Sequence, residues 1–275
     1  MRQHCLVVVS AALLLPALAR AQGPTEVLET APTPADQPPP GVVGNGGWLF
    51  SDSPFVASAW QPVVISRFSY TDSASLTRPF AANIGAPGAA VELGGELGFG
   101  GGISLQGTAI RGSSFLDDTG ATGGMVGLRF SVLPRSVEHW QLVLNAGYLH
   151  ELSGGNGAWG TVQTGFETGI LRTQLSIHVE HVFQTGRDPV DIMVTAGAAF
   201  RVLSFMSLGV EYLGQDLEAA FDDDSDAEGG SRHLLGPTVA FALLENRLSI
   251  VAGPAVGLGA TGTHLMGRLA VSFGF

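Results

Sequence analysis

The stretch Leu171 to Phe183, LRTQLSIHVEHVF, decides the fold. Leu171, Thr173, Leu175, Ile177 and Val179 alternate with Arg172, Gln174, Ser176, His178 and Glu180, so one face is oily and the other polar or ionic. Successive side chains of a β-strand point to opposite faces, and a period of two sorts these residues where a helical period would mix them. Similar alternation sets Val126, Leu128, Phe130 and Val132 against Gly127, Arg129 and Ser131. It also sets Ile192, Val194, Ala196, Ala198 and Phe200 against Asp191, Thr195, Gly197 and Arg201. No segment carries a 3.6-residue period of helical length.

Working outward gives twelve alternating segments, near 61–70, 88–99, 102–111, 122–133, 138–150, 158–169, 170–183, 189–202, 205–214, 232–244, 246–258 and 264–275. Most match the ~9–11 residues that a tilted membrane strand needs. The connections after odd-numbered segments include the long ones, 71–87, 112–121 and 215–231, while those after even-numbered segments are tight turns. Long loops at one end and short turns at the other are the asymmetry of an outer-membrane barrel. If odd strands run outward, Trp60, Phe99, Phe130, Trp140, Phe166, Phe200, Phe205, Phe241, Phe273 and Phe275 fall at the periplasmic rim, with Tyr70, Tyr148, Trp159, Phe183 and Tyr212 at the outer rim. Two girdles of aromatic rings suit two headgroup layers. The pattern predicts an all-β, transmembrane, antiparallel up-and-down β-barrel over residues 48–275, of twelve strands, with ten as the alternative count.

Composition agrees. The 275 residues include 39 Gly and 45% hydrophobic side chains but only 13% charged ones, which is too apolar for a disordered or highly charged soluble chain. All 13 basic residues are Arg, against 24 acidic ones and a net charge of −11, so a phosphate-backbone partner is excluded and no nucleic acid is expected. Residues 1–21 read as a secretory signal peptide, with Arg2 before an apolar stretch from Leu6 to Leu18 and Ala19-Arg20-Ala21 as the cleavage site. Cys5, the single cysteine, would leave with it, so neither a disulfide framework nor a Cys-ligated metal is expected downstream. Residues 22–47 are a Pro- and Gly-rich disordered periplasmic linker by composition. From Gly41 to Trp60 the Gly-rich chain fits a strap, an inserted plug or a disordered tail.

The final segment, LMGRLAVSFGF, alternates and ends on Phe275, and in this the chain resembles Gram-negative outer-membrane β-barrel proteins. The resemblance covers roughly residues 60–275 and is architectural. It implies the outer membrane of a Gram-negative bacterium after signal-peptide cleavage, outer-membrane lipid and the barrel assembly machinery as partners, and Phe275 as an assembly signal. It names no substrate.

The inward face carries the candidate site. Arg67, Arg129, Arg172, Arg201, Arg247 and Arg268 are opposed there by Glu92, Glu96, Glu167, Glu180, Asp191 and Glu211, with His178 among them. Charges so numerous require a wet or paired interior, either a ladder of Arg–carboxylate pairs or the selective wall of a channel. Their positions along the strands predict a lumen positive toward the periplasm and negative toward the outside, with Glu167, low beside Arg172, as the exception and its partner. His178, Glu180 and His181 are residue types of an acid/base site, but alternation sends His181 to the other face. No Gly-x-Ser-x-Gly elbow or His-Glu-x-x-His motif occurs. The acidic loop Asp216 to Glu228 lacks the Gly and Glu of a calcium hand, so no metal and no cofactor are expected. The reading is a passive channel or small-solute transporter, not an enzyme. The alternatives are a barrel enzyme acting at its extracellular rim and a closed structural or adhesive barrel.

Overall fold

The structure, a computed structural model, describes residues 48–50, 52–53, 56–72, 88–115, 120–133, 139–152, 155–183, 190–215, 217, 232–258 and 265–275. The expected signal peptide and linker lie outside these residues, as do most of the loop 71–87 and the acidic loop apart from Leu217.

Twelve strands follow in order: β1 (Pro62–Thr71), β2 (Gly88–Gly100), β3 (Ile103–Ser114), β4 (Gly120–Ser131), β5 (Trp140–Glu151), β6 (Gly155–Glu167), β7 (Leu171–Val182), β8 (Val190–Leu203), β9 (Met206–Gln215), β10 (Arg232–Leu243), β11 (Leu248–Gly257) and β12 (Leu265–Gly274). Each pairs antiparallel with its sequence neighbours, and β1 pairs with β12 to close the barrel. Closure leaves no sheet edge, so every strand can meet its backbone hydrogen bonds within the wall. The tight turns gather at one end, here the turn end, together with Pro62 and the C-terminus. The other is the loop end.

Register follows the alternation. Ile177 stands beside Val162 and Val194, all outward, while Ser176 stands beside Gln163 and Thr195, all inward. A slip of one residue would turn each oily row into the lumen. Outward Leu93, Leu105, Leu128, Val162, Ile177 and Val210 are 40–58% exposed on the isolated chain. An apolar belt of this extent around a whole molecule is not stable in water, and hydrocarbon is the solvent that satisfies it. Aromatic pairs mark its limits. Trp60 packs edge-on to Phe99, Trp140 against Phe166 and Phe273 against Phe275 at the turn end, with Tyr70 on Phe115 and Tyr212 on His233 at the loop end.

Trp159 departs from the girdle expected of it. Its place in the alternation of β6 turns it inward, where it is buried with Ile110, Leu149 and Val182. The ring lies against Gly127 and Gly147, where an added Cβ would meet its Cζ2 at 2.5 Å and its Nε1 at 2.8 Å. Nε1 donates to the Tyr148 carbonyl at 3.3 Å. Glycine on two neighbouring strands thus makes the recess that lets a tryptophan lie flat inside the wall. Gly127→Ala is expected to cost about 1–3 kcal/mol by overpacking, against little for Gly267→Ala, where nothing lies within 4 Å, as read by urea unfolding in lipid vesicles.

Candidate functional site

The interior is occupied by the chain itself. The described residues between 48 and 60 precede β1 at the turn end and fold back into the lumen, so of the three readings of this segment they support an inserted plug. The path starts at the rim, where the Trp60 amide donates to the Gly98 carbonyl at 2.8 Å. Farther in, the Ala57 amide donates to Glu96 Oε1 at 2.8 Å and the Arg129 guanidinium donates to the Ser53 carbonyl. The Gln163 amide donates to the Asp52 carbonyl, and the Asp52 carboxylate pairs with Arg67 at 2.6 Å. Deepest, Glu211 takes the Leu49 amide at 2.7 and 3.0 Å on its two oxygens and the Phe50 amide at 3.0 Å.

Apart from the bridge between Ala59 and Gly98 at the rim, the described residues of this coil have no strand to pair with, yet their buried amides and carbonyls must be met. The inward charges of the wall meet them. Glu96 and Arg129 therefore serve the backbone of the plug as well as each other, and Glu211 serves that of Leu49 and Phe50. The side chains of Trp48, Leu49 and Phe50 are 1–2% exposed. Trp48 fits against Gly197, where a Cβ would stand 2.5 Å from its Cζ3. Leu49 and Phe50 join inward Leu213, Leu234, Ala240, Val251, Ala255, Met266 and Ala270 in one apolar cluster on the β9–β12 side.

The remaining charges pair across the wall. Arg129 bonds Glu96 at 2.6 Å, and Arg67 bonds Glu92, whose other oxygen takes Arg268 at 3.4 Å. Arg172 and Arg201 share Glu167 at 3.5 and 3.4 Å. Glu96 and Glu167 thus stand in the turn half among the arginines, and Arg268 stands in the loop half. From the turn end to mid-barrel the lumen is a ladder of opposite charges where the strand positions predict a positive zone, because neighbouring strands bring both signs there, while the loop end keeps the expected carboxylates Glu180 and Asp191. Asp191 lies beside Glu180 in register. Arg247, expected to line the lumen, sits exposed in the turn between β10 and β11, because β11 begins one residue later, at Leu248.

His178 bonds Thr161 Oγ1 and Glu180 Oε1, each at 2.7 Å, and its ring stacks on Trp159 with centroids 5.7 Å apart. Hydroxyl, imidazole and carboxylate in a row are the parts of a nucleophilic triad. All three residues are buried, so no solvent-borne substrate reaches the hydroxyl in this arrangement, and the row braces β6 against β7. His181 faces outward beside Phe183. Among the described residues no group of three or more His, Cys, Asp or Glu is placed to hold a metal ion.

Between the plug and the opposite wall lies a cavity of about 20 Å³, bordered by Phe50, Asp52, Arg67, Thr108, Trp159 and Arg268, with room for about one water molecule. The alternation of the strands marked the wall of this site. Asp52 and the apolar triplet Trp48-Leu49-Phe50 carried no strand signal. The clue available was that three large apolar residues outside any strand must be buried somewhere.

No family model matches the chain, and no curated protein matches it. Among solved structures it is similar to an outer membrane channel from Pseudomonas putida F1, with a TM-score of 0.54 and 11% identity over 80% of this chain and 97% of that one. It is also similar to the KdgM porin in complex with disordered oligogalacturonate, with a TM-score of 0.52 and 11% identity over 78% of this chain and 99% of that one. At such identities the likeness is one of fold, that of outer-membrane β-barrels.

Proposed function

We propose that the protein is a passive outer-membrane channel for a small solute, held shut by its own residues 48–57. The observation that carries this reading is the way the segment is held. Asp52 and the backbone of Leu49, Phe50, Ser53 and Ala57 are bound to Arg67, Glu96, Arg129 and Glu211 by hydrogen bonds and one ion pair, with none of the strand pairing that ties the wall together among these residues. Hydrogen bonds of this kind exchange with water at modest net cost, whereas a barrel ladder does not open in lipid. Removing the segment therefore leaves a closed barrel with a charged, water-compatible bore. The channels whose fold it shares favour the same class of function.

In this proposal the signal peptide directs export, the loop end faces outside and the turn end faces the periplasm. The barrel assembly machinery reads the C-terminal strand. Phe275 is 65% exposed at the turn-end rim, available to a partner. Deleting it is expected to lower the amount of assembled barrel in outer-membrane fractions several-fold while leaving detergent refolding intact. Equal surface yield would remove that role.

Liposomes carrying the refolded protein test the function. They are expected to admit small sugars and organic acids faster than empty liposomes, and faster still when residues 22–57 are deleted. Solute entry no faster than into empty liposomes for both forms, together with hydrolysis of lipid or ester substrates, would replace the channel with the enzyme reading.

A further inference from the structure

The geometry points to an aromatic carboxylate as the solute, with Trp48, Phe50 and Asp52 standing in for it in the closed lumen. This rests on the channel reading. Two arginines of the wall cover aromatic rings of the plug: Arg172 lies 5.8 Å from the centre of the Trp48 ring and Arg268 lies 5.6 Å from that of Phe50. Both distances fall within the reach of a cation–π contact, which favours an aromatic face over an aliphatic one. The wall adjoining Arg268, from β9 to β12, is apolar, with Leu213, Leu234, Ala255 and Met266 inward. A wall that faces lipid outside has no need of apolar residues inside, so these are there for what the lumen holds.

Asp52 is the one charged residue among residues 48–60, and its carboxylate sits on Arg67. Arg67 and Arg268 are diagonal neighbours on β1 and β12, and both are held by Glu92, one on each oxygen. The plug thus presents a ring to one arginine and a carboxylate to the next, a short distance apart. An arylacetate-sized anion carries the same two groups on one small frame. When the plug leaves, Arg67 keeps Glu92 but loses Asp52, and the two guanidinium faces lose their rings. Glu211, stripped of two amides, disfavours a carboxylate at its own level. It orients the anion with its ring under Arg268 and its charge on Arg67. The buried Nη2 of Arg172, which has no hydrogen-bond partner among the described residues, offers a further donor at the turn end.

The test uses phenylacetate as the probe and acetate as its apolar-poor control, on full-length protein carrying Phe50→Ala and Asp52→Asn to loosen the plug. In planar bilayers phenylacetate is expected to interrupt the current at concentrations about tenfold or more below acetate. Adding Arg67→Gln should bring the two anions within about twofold of one another, and Arg67→Lys should restore part of the difference. If the Arg67 variants fail to assemble, Arg268→Gln serves in their place, with the same loss expected. Equal action of phenylacetate and acetate on a conducting variant overturns the assignment and leaves the channel standing. Absence of current from this variant and from protein lacking residues 22–57 removes the channel, and the inference with it.

Discussion

Ile177→Arg should destabilise the barrel by about 2–4 kcal/mol, because Ile177 lies near the middle of β7 on the lipid face and a guanidinium there must leave water for hydrocarbon. Leu171→Arg, on the same face at the turn-end rim, should cost only about 0–1 kcal/mol, since the side chain can reach the headgroups. Urea unfolding in vesicles measures both, and equal costs would mean that this face does not meet lipid. Ser176→Arg would at first sight be the benign partner, one residue away and inward. It is not benign here, because Ser176 is buried beside Gln163 and Thr195 in an occupied interior, so the long side chain meets packing instead of water.

Glu211→Ala should release the plug. In the closed lumen its carboxylate accepts both the Leu49 and the Phe50 amide, and alanine leaves two buried donors unmet at about 1–3 kcal/mol each. Even the lower figure shifts the balance between inserted and released segment by about thirtyfold. Glu211→Gln, which keeps one acceptor oxygen, should shift it less. Protease cleavage between residues 48 and 57 in the vesicle-embedded protein reads the release directly. It should be fast in Glu211→Ala, intermediate in Glu211→Gln and slow in the native chain. Identical rates in all three would show that Glu211 does not hold the segment.

The barrel was legible because strand alternation is a local signal, repeated twelve times and supported by the unequal lengths of the connections. LRTQLSIHVEHVF lies as β7 with its oily residues outward and its ionic ones inward, as the spacing requires. The wall charges could likewise be placed by parity. Their pairing could not, because the partner of Arg268 is Glu92, 176 residues away, and only the closure of β12 on β1 and β2 brings them together. Trp159 shows the limit from the other side. An aromatic near a strand end suits a headgroup girdle, but the alternation of β6 turns this one inward, and the recess made by Gly127 and Gly147 across two neighbouring strands gives it room there. The plug was least legible, since residues 48–57 have no period and their structure is imposed by the wall that binds them. Three readings of that segment were open in the sequence, and it took the acceptors at Glu96 and Glu211 to select one.

Single-channel recording of the full chain beside a form lacking residues 22–57 tests most directly whether the segment closes the lumen. The deletion spares Val63–Gly274, whose ladder closes without it, so the truncated barrel is expected to assemble. The full chain should show a low current with rare openings, and the truncated form a steady open level several-fold higher. The same conductance in both forms would contradict the account, because a lumen that passes ions equally well with and without residues 48–57 is not closed by them.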